Sequence, residues 1–223
     1  MIRAYMSLVQ RFTALVSCAV VVVAIGLSVS LPVNAEGVQS PQDLMDSVSK
    51  QMFTALDANR SAIKKDPEKA YPLVDAILLP HFDAPYTARL VLATHWSAAS
   101  ADQRARFVQA FYHSLVRLYG GAIAGFTSDR LTLLPFRGDP TATEATVRTL
   151  VRRDSGATIP VDYRLHKTAS GWMAYDVIIE GISYVKNYRT DLGGEIDAKG
   201  LDEVIARLER EGLSAPPGAV KGS

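Results

Sequence analysis

The sequence predicts an α+β domain: N-terminal helices and one long helix packed on a four-stranded antiparallel sheet. Three observations carry this. Apolar residues recur at spacings of three and four between residues 41 and 119, the period of an amphipathic helix. From residue 131 the period becomes two, in runs from Leu131 to Phe136, Glu144 to Arg153, Thr158 to Lys167 and Trp172 to Glu180. These runs are joined by Arg137-Gly138-Asp139-Pro140, Asp154-Ser155-Gly156 and Ala169-Ser170-Gly171, connections too short for helical crossovers. Helices first and strands afterwards is the α+β order.

The 223 residues, 48% hydrophobic and 21% charged, suit one globular domain. Residues 1–35 read as a secretory signal peptide: Arg3 and Arg11 precede an apolar run from Phe12 to Leu31, and Val33 and Ala35 suit a cleavage site. A retained anchor is the alternative, since about twenty apolar residues span a bilayer. Leu15-Val16-Ser17-Cys18 imitates a lipoprotein box, but the most apolar stretch follows Cys18 instead of ending there. Cleavage near Ala35 removes the only cysteine, so the mature chain has no disulfide. It also removes Arg3 and Arg11, leaving 22 basic residues of the 24 against 23 acidic ones. So neutral a chain disfavours nucleic acid as a partner.

In order, Ser40-Pro41-Gln42-Asp43 starts a helix expected to reach Lys65, with Leu44, Val48, Met52 and Leu56 on one face. Asp66-Pro67 and Asp83-Ala84-Pro85 restart the chain, the second opening a helix from Pro85 to Trp96. Ser100-Ala101-Asp102-Gln103 is a capping box and begins what is expected to be the longest helix, striped by Phe107, Phe111, Leu115, Leu118, Tyr119 and Ala122 and loosened by Gly120-Gly121. After the strands, Gly193-Gly194 reads as a link to a helix from Leu201 to Arg210, within a domain of residues 36–212. Residues 213–223 read as a disordered tail.

The stretch Trp172 to Arg189 organises the chain. Met173, Tyr175, Val177 and Ile179 alternate with Ala174, Asp176, Ile178 and Glu180, which makes the first set one apolar strand face. Gly181 interrupts, and Ile182, Val185 and Arg189 follow at helical spacing. Val147, Val151, Val161 and Tyr163 extend the apolar face, with the long helix expected across it. His81, His95, His113 and His166 form no catalytic motif, and His81-Phe82-Asp83 is a weak metal pattern better read as loop chemistry. Ser183 lacks a base and reads as a cap, and Asp176 as a structural acid that meets an arginine or the turn. Periodicity cannot tell a filled core from a lined cavity.

The run Trp172, Tyr175, Asp176, Val177, Glu180, Gly181, Ile182, Ser183, Val185, Asn187, Tyr188 and Arg189 resembles the MlaC or toluene-tolerance family of periplasmic phospholipid-binding proteins. The likeness continues less tightly through Tyr71 to Tyr119 and Gly200 to Leu208. It implies an NTF2-like fold with an apolar cavity between sheet and helices, in a monomeric carrier that encloses acyl chains. It further implies shuttling between the inner and outer membranes, with an ABC transporter complex and an outer-membrane lipoprotein–porin complex as partners, which maintains outer-membrane lipid asymmetry. No catalytic residue and no cofactor is implied. The lining it implies is Phe111, Leu115 and Tyr119 of the long helix, Val147, Val151, Val161, Tyr163, Tyr175, Val177 and Ile179 of the sheet, and Ile182, Val185 and Tyr188 after it; Phe53 and Phe82 are further candidates. The ligand implied is a phospholipid, with a hopanoid or related terpenoid as the alternative. An NTF2-like enzyme with a polar pocket, or an interaction module with a solid core, are the rival readings.

Overall fold

The computed structural model describes residues 39–124, 127–139, 141–153 and 155–213, all within one compact unit. The expected signal peptide, and all of the expected tail after Leu213, lie outside the described residues. Helix α1 spans Pro41–Lys65, where the sequence places it. The Ser40 hydroxyl accepts the Asp43 amide at 3.1 Å and Pro41 fills the first helical position, where a missing N–H costs nothing. Asp66 ends α1 through its amide bond to Ala62 and caps the next 3-10 turn, Pro67–Ala70, by accepting the Glu68 amide. Helix α2 (Tyr71–Leu78), a second 3-10 turn (Leu79–His81) and α3 (Ala84–Leu92) follow.

The continuous helix expected from Pro85 to Trp96 is broken at Ala93, whose φ of +48° ends α3 and begins α4 (Thr94–Ala98). Contacts from α5 (Ala101–Ala124) hold this break. Arg104 of α5 donates to the carbonyls of Trp96 and Ser97 and stacks over the Trp96 ring. The capping box forms as read: Ser100 and Gln103 exchange amide bonds at 2.9 and 3.1 Å. At 24 residues α5 is shorter than α1, at 25, so the expected longest helix is the second of the two.

The sheet contains β1 (Leu131–Leu133), β2 (Glu144–Arg152), β3 (Thr158–Thr168), β4 (Gly171–Ile179) and β5 (Ile182–Ser183), antiparallel neighbours in chain order. The first strand is shorter than expected and the fifth is additional. It arises because Glu180 and Gly181, both at positive φ, close a two-residue hairpin that pairs Ile179 with Ile182. Helices α6 (Tyr184–Lys199) and α7 (Leu201–Leu213) complete the chain. Gly193-Gly194 is not a link but lies inside α6, where burial of Leu192 and Ile196 outweighs two weak helix formers. The break comes at Gly200, at φ +86°.

Register decides which side chains share a face. Val147 pairs with Tyr163 and Tyr163 with Val177, while Thr149 pairs with Val161 and Val161 with Ile179. Opposed residues point the same way, so these form one face. Between Arg164 and Leu165 the register shifts: Arg164 faces Asp176 and Leu165 faces Ala174, with Tyr175 as the extra residue of a bulge. One extra residue reverses the alternation. Met173 and Tyr175 therefore leave the expected apolar face for that of Arg164 and His166, and Trp172 and Ala174 take their place. The Tyr175 ring accordingly lies 5.4 Å from the His166 ring and 5.1 Å from the Arg164 guanidinium.

The apolar strand face packs on α1 and α2, not directly on the long helix as expected. Val147, Leu165 and Trp172 meet Leu44 and Val48, with Ile77 and Leu78 beside them. Further along α1, Met52, Leu56 and Ile63 turn to Val74, Tyr112 and Val116. Helix α5 uses Phe107, Ala110 and Phe111 against α3, α6 and α7, where Val204 and Ile205 are fully buried. The stripe of α1 is thus shared between sheet and helices. Gly120 does not loosen α5, which stays helical through it; a Cβ there would stand 2.8 Å from the ring of Tyr71, itself covered by Arg117. Gly120→Ala is expected to lower stability by about 1–2 kcal/mol despite the helix-propensity gain. In a Tyr71→Ser background the same change is expected to be neutral or stabilising, a cycle read from urea midpoints.

Candidate functional site

Beyond Val147 and Tyr163 the apolar strand face runs on through Thr149, Val151, Val161, Val177 and Ile179, and across the hairpin to Ile182. Thr149 does not interrupt it, because its hydroxyl donates to the Val161 carbonyl at 2.7 Å within the sheet. Exposure rises along this path: Val151 and Val161 are buried, Val177 and Ile179 half-buried, and Ile182 is 61% exposed. Tyr163 is half-buried, and burial pushes its hydroxyl above the usual tyrosine range.

Two residues beyond Ile182 an aromatic group begins that joins α5 to α6. The ring of Tyr184, two residues after Ile182, meets Tyr119 edge-on at 5.4 Å, and the Tyr119 and Tyr188 hydroxyls are 3.2 Å apart. Tyr188 in turn meets Phe111 at 5.2 Å. Burial raises the pKa of Tyr119, helped by its bond to Tyr188, and burial also raises Tyr188. Leu118, on the same turn of α5, is 52% exposed. Tyr184 and Leu118 were not among the sequence candidates. The spacing of four between Tyr184 and Tyr188 was the signal for a shared helical face.

The candidates therefore separate. Val151, Val161, Tyr163, Val177, Ile179 and Ile182 share the strand face, and Tyr119 and Tyr188 meet each other between α5 and α6. Leu115 is half-buried beside the cluster that contains Phe111. Phe111 and Val185 are buried in the helical core, Val147 is sealed under α1, and Tyr175 sits on the other face. Phe82 packs into the α1–α2–α5 cluster, and Phe53 is half-buried on α1.

Asp176 fastens α6 to the sheet. It is 2% exposed and accepts the Ser183 hydroxyl at 2.6 Å and the Val185 amide at 3.0 Å, with an Arg164 nitrogen at 4.0 Å. The carboxylate thereby satisfies an amide of the first helical turn, where the helix dipole favours negative charge. Ser183 is a cap as read: its oxygen also accepts the Lys186 amide. Both groups are engaged in holding the chain, which leaves no serine–base pair. His166 lies 2.9 Å from Asp83, the N-cap of α3, so the His81-Phe82-Asp83 pattern is loop chemistry. Among the described residues no group of three His, Cys, Asp or Glu is placed to hold a metal, and no helix is long and apolar enough to cross a membrane.

Two surface hollows lie elsewhere. A groove of about 490 Å³ between α5 and α7 is lined by Ala105, Arg106, Gln109, Ala110, His113, Leu208 and Glu209. A polar pocket of about 140 Å³ on the other sheet face includes Arg164, Glu144, Asp176 and Arg189. Neither includes a residue of the apolar strand face.

Comparison with known proteins agrees with this architecture. The sequence pattern of the MlaC protein family matches residues 46–210. The chain belongs to the MlaC family. A relative from Pseudomonas putida, toluene tolerance protein Ttg2D, is 27% identical over 177 residues, covering 79% of this chain and 82% of that protein. The intermembrane phospholipid transport system binding protein MlaC of Haemophilus influenzae is 25% identical over 175 residues, covering 77% and 81%. The phospholipid-binding protein of Ralstonia solanacearum, solved in complex with a phospholipid, shares the fold at a TM-score of 0.72 with 23% identity, covering 78% of this MlaC-family chain and 97% of that one.

Two outcomes are expected. Asp176→Ala removes the acceptor for a buried amide and lowers stability by about 2–4 kcal/mol, read by denaturant titration. Tyr112, Tyr119, Tyr163, Tyr175 and Tyr188 are all held protonated above the usual value, each chiefly by burial. Their folded values exceed the unfolded value of about 10, so their contribution is complete below pH 10 and is lost as pH rises above it. An alkaline titration followed by phenolate absorbance is expected to show late, cooperative ionisation coincident with unfolding.

Proposed function

We propose that this MlaC-family protein is a periplasmic carrier that encloses the acyl chains of a phospholipid and moves it between the inner and outer membranes. The observation that carries the reading is the apolar strand face that runs from the sealed core at Val147 to the exposed Ile182, followed two residues on by Tyr184, whose ring meets Tyr119. The tails would lie along Val151, Val161, Tyr163, Val177 and Ile179, with Leu115, Tyr119 and Tyr188 on the helix side and Ile182 at the lip. The relative named an intermembrane phospholipid transport system binding protein, and the structural neighbour bound to phospholipid, support this ligand class.

The physics suits a shuttle. Carrying two chains of about fourteen methylenes each through water costs roughly 20 kcal/mol, so the tails must be enclosed. Transfer from bilayer core to an apolar wall is nearly neutral, so direction must come from the partners. An inner-membrane ABC transporter complex and an outer-membrane lipoprotein–porin complex are the partners this reading requires, with outer-membrane lipid asymmetry as the outcome. Export with cleavage near Ala35 would place the protein between them. Its work is to enclose, not to transform: Asp176, Ser183, His166 and Asp83 are all engaged in structural bonds.

Native mass spectrometry of protein purified from the periplasm, with lipid extraction, is expected to show one stoichiometric phospholipid. Val177→Glu is expected to fold and to lose that mass increment, since a carboxylate on the wall would meet acyl chain. A clean apo mass that persists after incubation with phospholipid vesicles would overturn the carrier reading, and full occupancy in Val177→Glu would overturn this assignment of the wall.

A further inference from the structure

We infer that Tyr119, Tyr184 and Tyr188 form a neutral hydrogen-bonding collar that receives an ester carbonyl of the bound lipid, at the boundary between its tails and its head group. The inference rests on the carrier reading above and assigns a role to groups that reading uses only as wall. Three observations lead to it.

The first is placement. Ile182 pairs with Ile179 across the hairpin, so both side chains leave the sheet on the apolar face, and Tyr184 begins α6 two residues later. Tyr184 reaches the edge of Tyr119, and Tyr119 reaches Tyr188. Ile182, two residues before Tyr184, and Leu118, next to Tyr119 in the chain, are both exposed, and the proposed collar sets its three hydroxyls where the apolar wall ends. In a diacyl lipid whose tails lie along that wall, the groups at this level are the two ester carbonyls.

The second is proton count. Tyr119 and Tyr188 share one hydrogen bond at 3.2 Å, with the Tyr184 ring edge-on to Tyr119. Two hydroxyls carry two protons and use one between them, so one O–H of the pair remains to be donated outward, beside that of Tyr184. The third is chemistry. Donors set among aromatic rings suit a neutral acceptor; a phosphate would be drawn to cations, and none is built into this group. Burial holds the Tyr119 and Tyr188 phenols in the protonated, donating form.

The test compares the full mature protein with two probes, vesicles of dioleoyl phosphatidylethanolamine and of its diether analogue, which lacks both carbonyls. Bound lipid is quantified by native mass spectrometry under competition. Wild type is expected to favour the diester by about three- to tenfold, the worth of one hydrogen bond. The Tyr119→Phe/Tyr184→Phe/Tyr188→Phe variant keeps the rings, removes all three hydroxyls and is expected to bind both lipids equally. Equal uptake of both by wild type would overturn the collar while leaving the carrier reading intact. Diester preference that survives in the triple variant would place the donor elsewhere and overturn it too. Failure of wild type to take up either lipid would instead overturn the carrier reading on which it stands. The wild-type comparison needs no variant to fold.

Discussion

One buried carboxylate joins the two halves of this molecule. Asp176 lies in the strand that follows the bulge, yet its acceptors are used by Ser183 and Val185, at the start of α6. Without that join, α6 would leave the hairpin in no particular direction. With it, Val185 is drawn into the helical core while Tyr184 and Tyr188 are carried towards α5. The bulge at Tyr175 is part of the same device, because the extra residue keeps Asp176 on the side of Arg164 while Val177 and Ile179 face the other way. A polar fastening and an apolar wall thus share one strand.

The packing follows from how α1 divides its stripe. Leu44 and Val48 seal the sheet near Leu165, and Met52 and Leu56 turn away to α2 and α5. A helix that stayed on the sheet along its whole length would fill the space over Val161 and Ile179. By crossing from one layer to the other, α1 lets a solid core grade into a wall of rising exposure. One sheet therefore carries a packed core at one end and a partly exposed apolar surface at the other, where the proposed ligand would lie.

Much of this was legible from sequence where the cause is local. The cap at Ser40, the reciprocal bonds of Ser100 and Gln103 and the short connections of the meander depend on residues within a few positions of one another. What was not legible depends on distant partners. Tyr175 changes face because of where β3 places Arg164 and Leu165, a register that no pattern within β4 contains. Gly193 and Gly194 stay helical because Leu192 and Ile196 find a core built by α3, α5 and α7. The break at Ala93 depends on Arg104, eleven residues further on, and the placement of α5 on the other helices depended on α1 reaching the sheet first. Within the candidate wall, the strand valines were readable from period two, whereas the separation of Tyr119 from Phe111 needed the position of α6.

The edge of β4 is covered at two places. At one end β5 pairs with Ile178 and Ile179; at the other, the amide of Asp83 donates to the carbonyl of Ala174 and the Thr87 hydroxyl to that of Tyr175. The opposite edge, β1, is only three residues long. A protein that opens an apolar wall to water is at risk of joining its neighbours by extending a ladder of main-chain bonds from one sheet into the next. Here the chain itself occupies that route at both ends of β4, and the outermost strand on the other side is too short to serve as a long template.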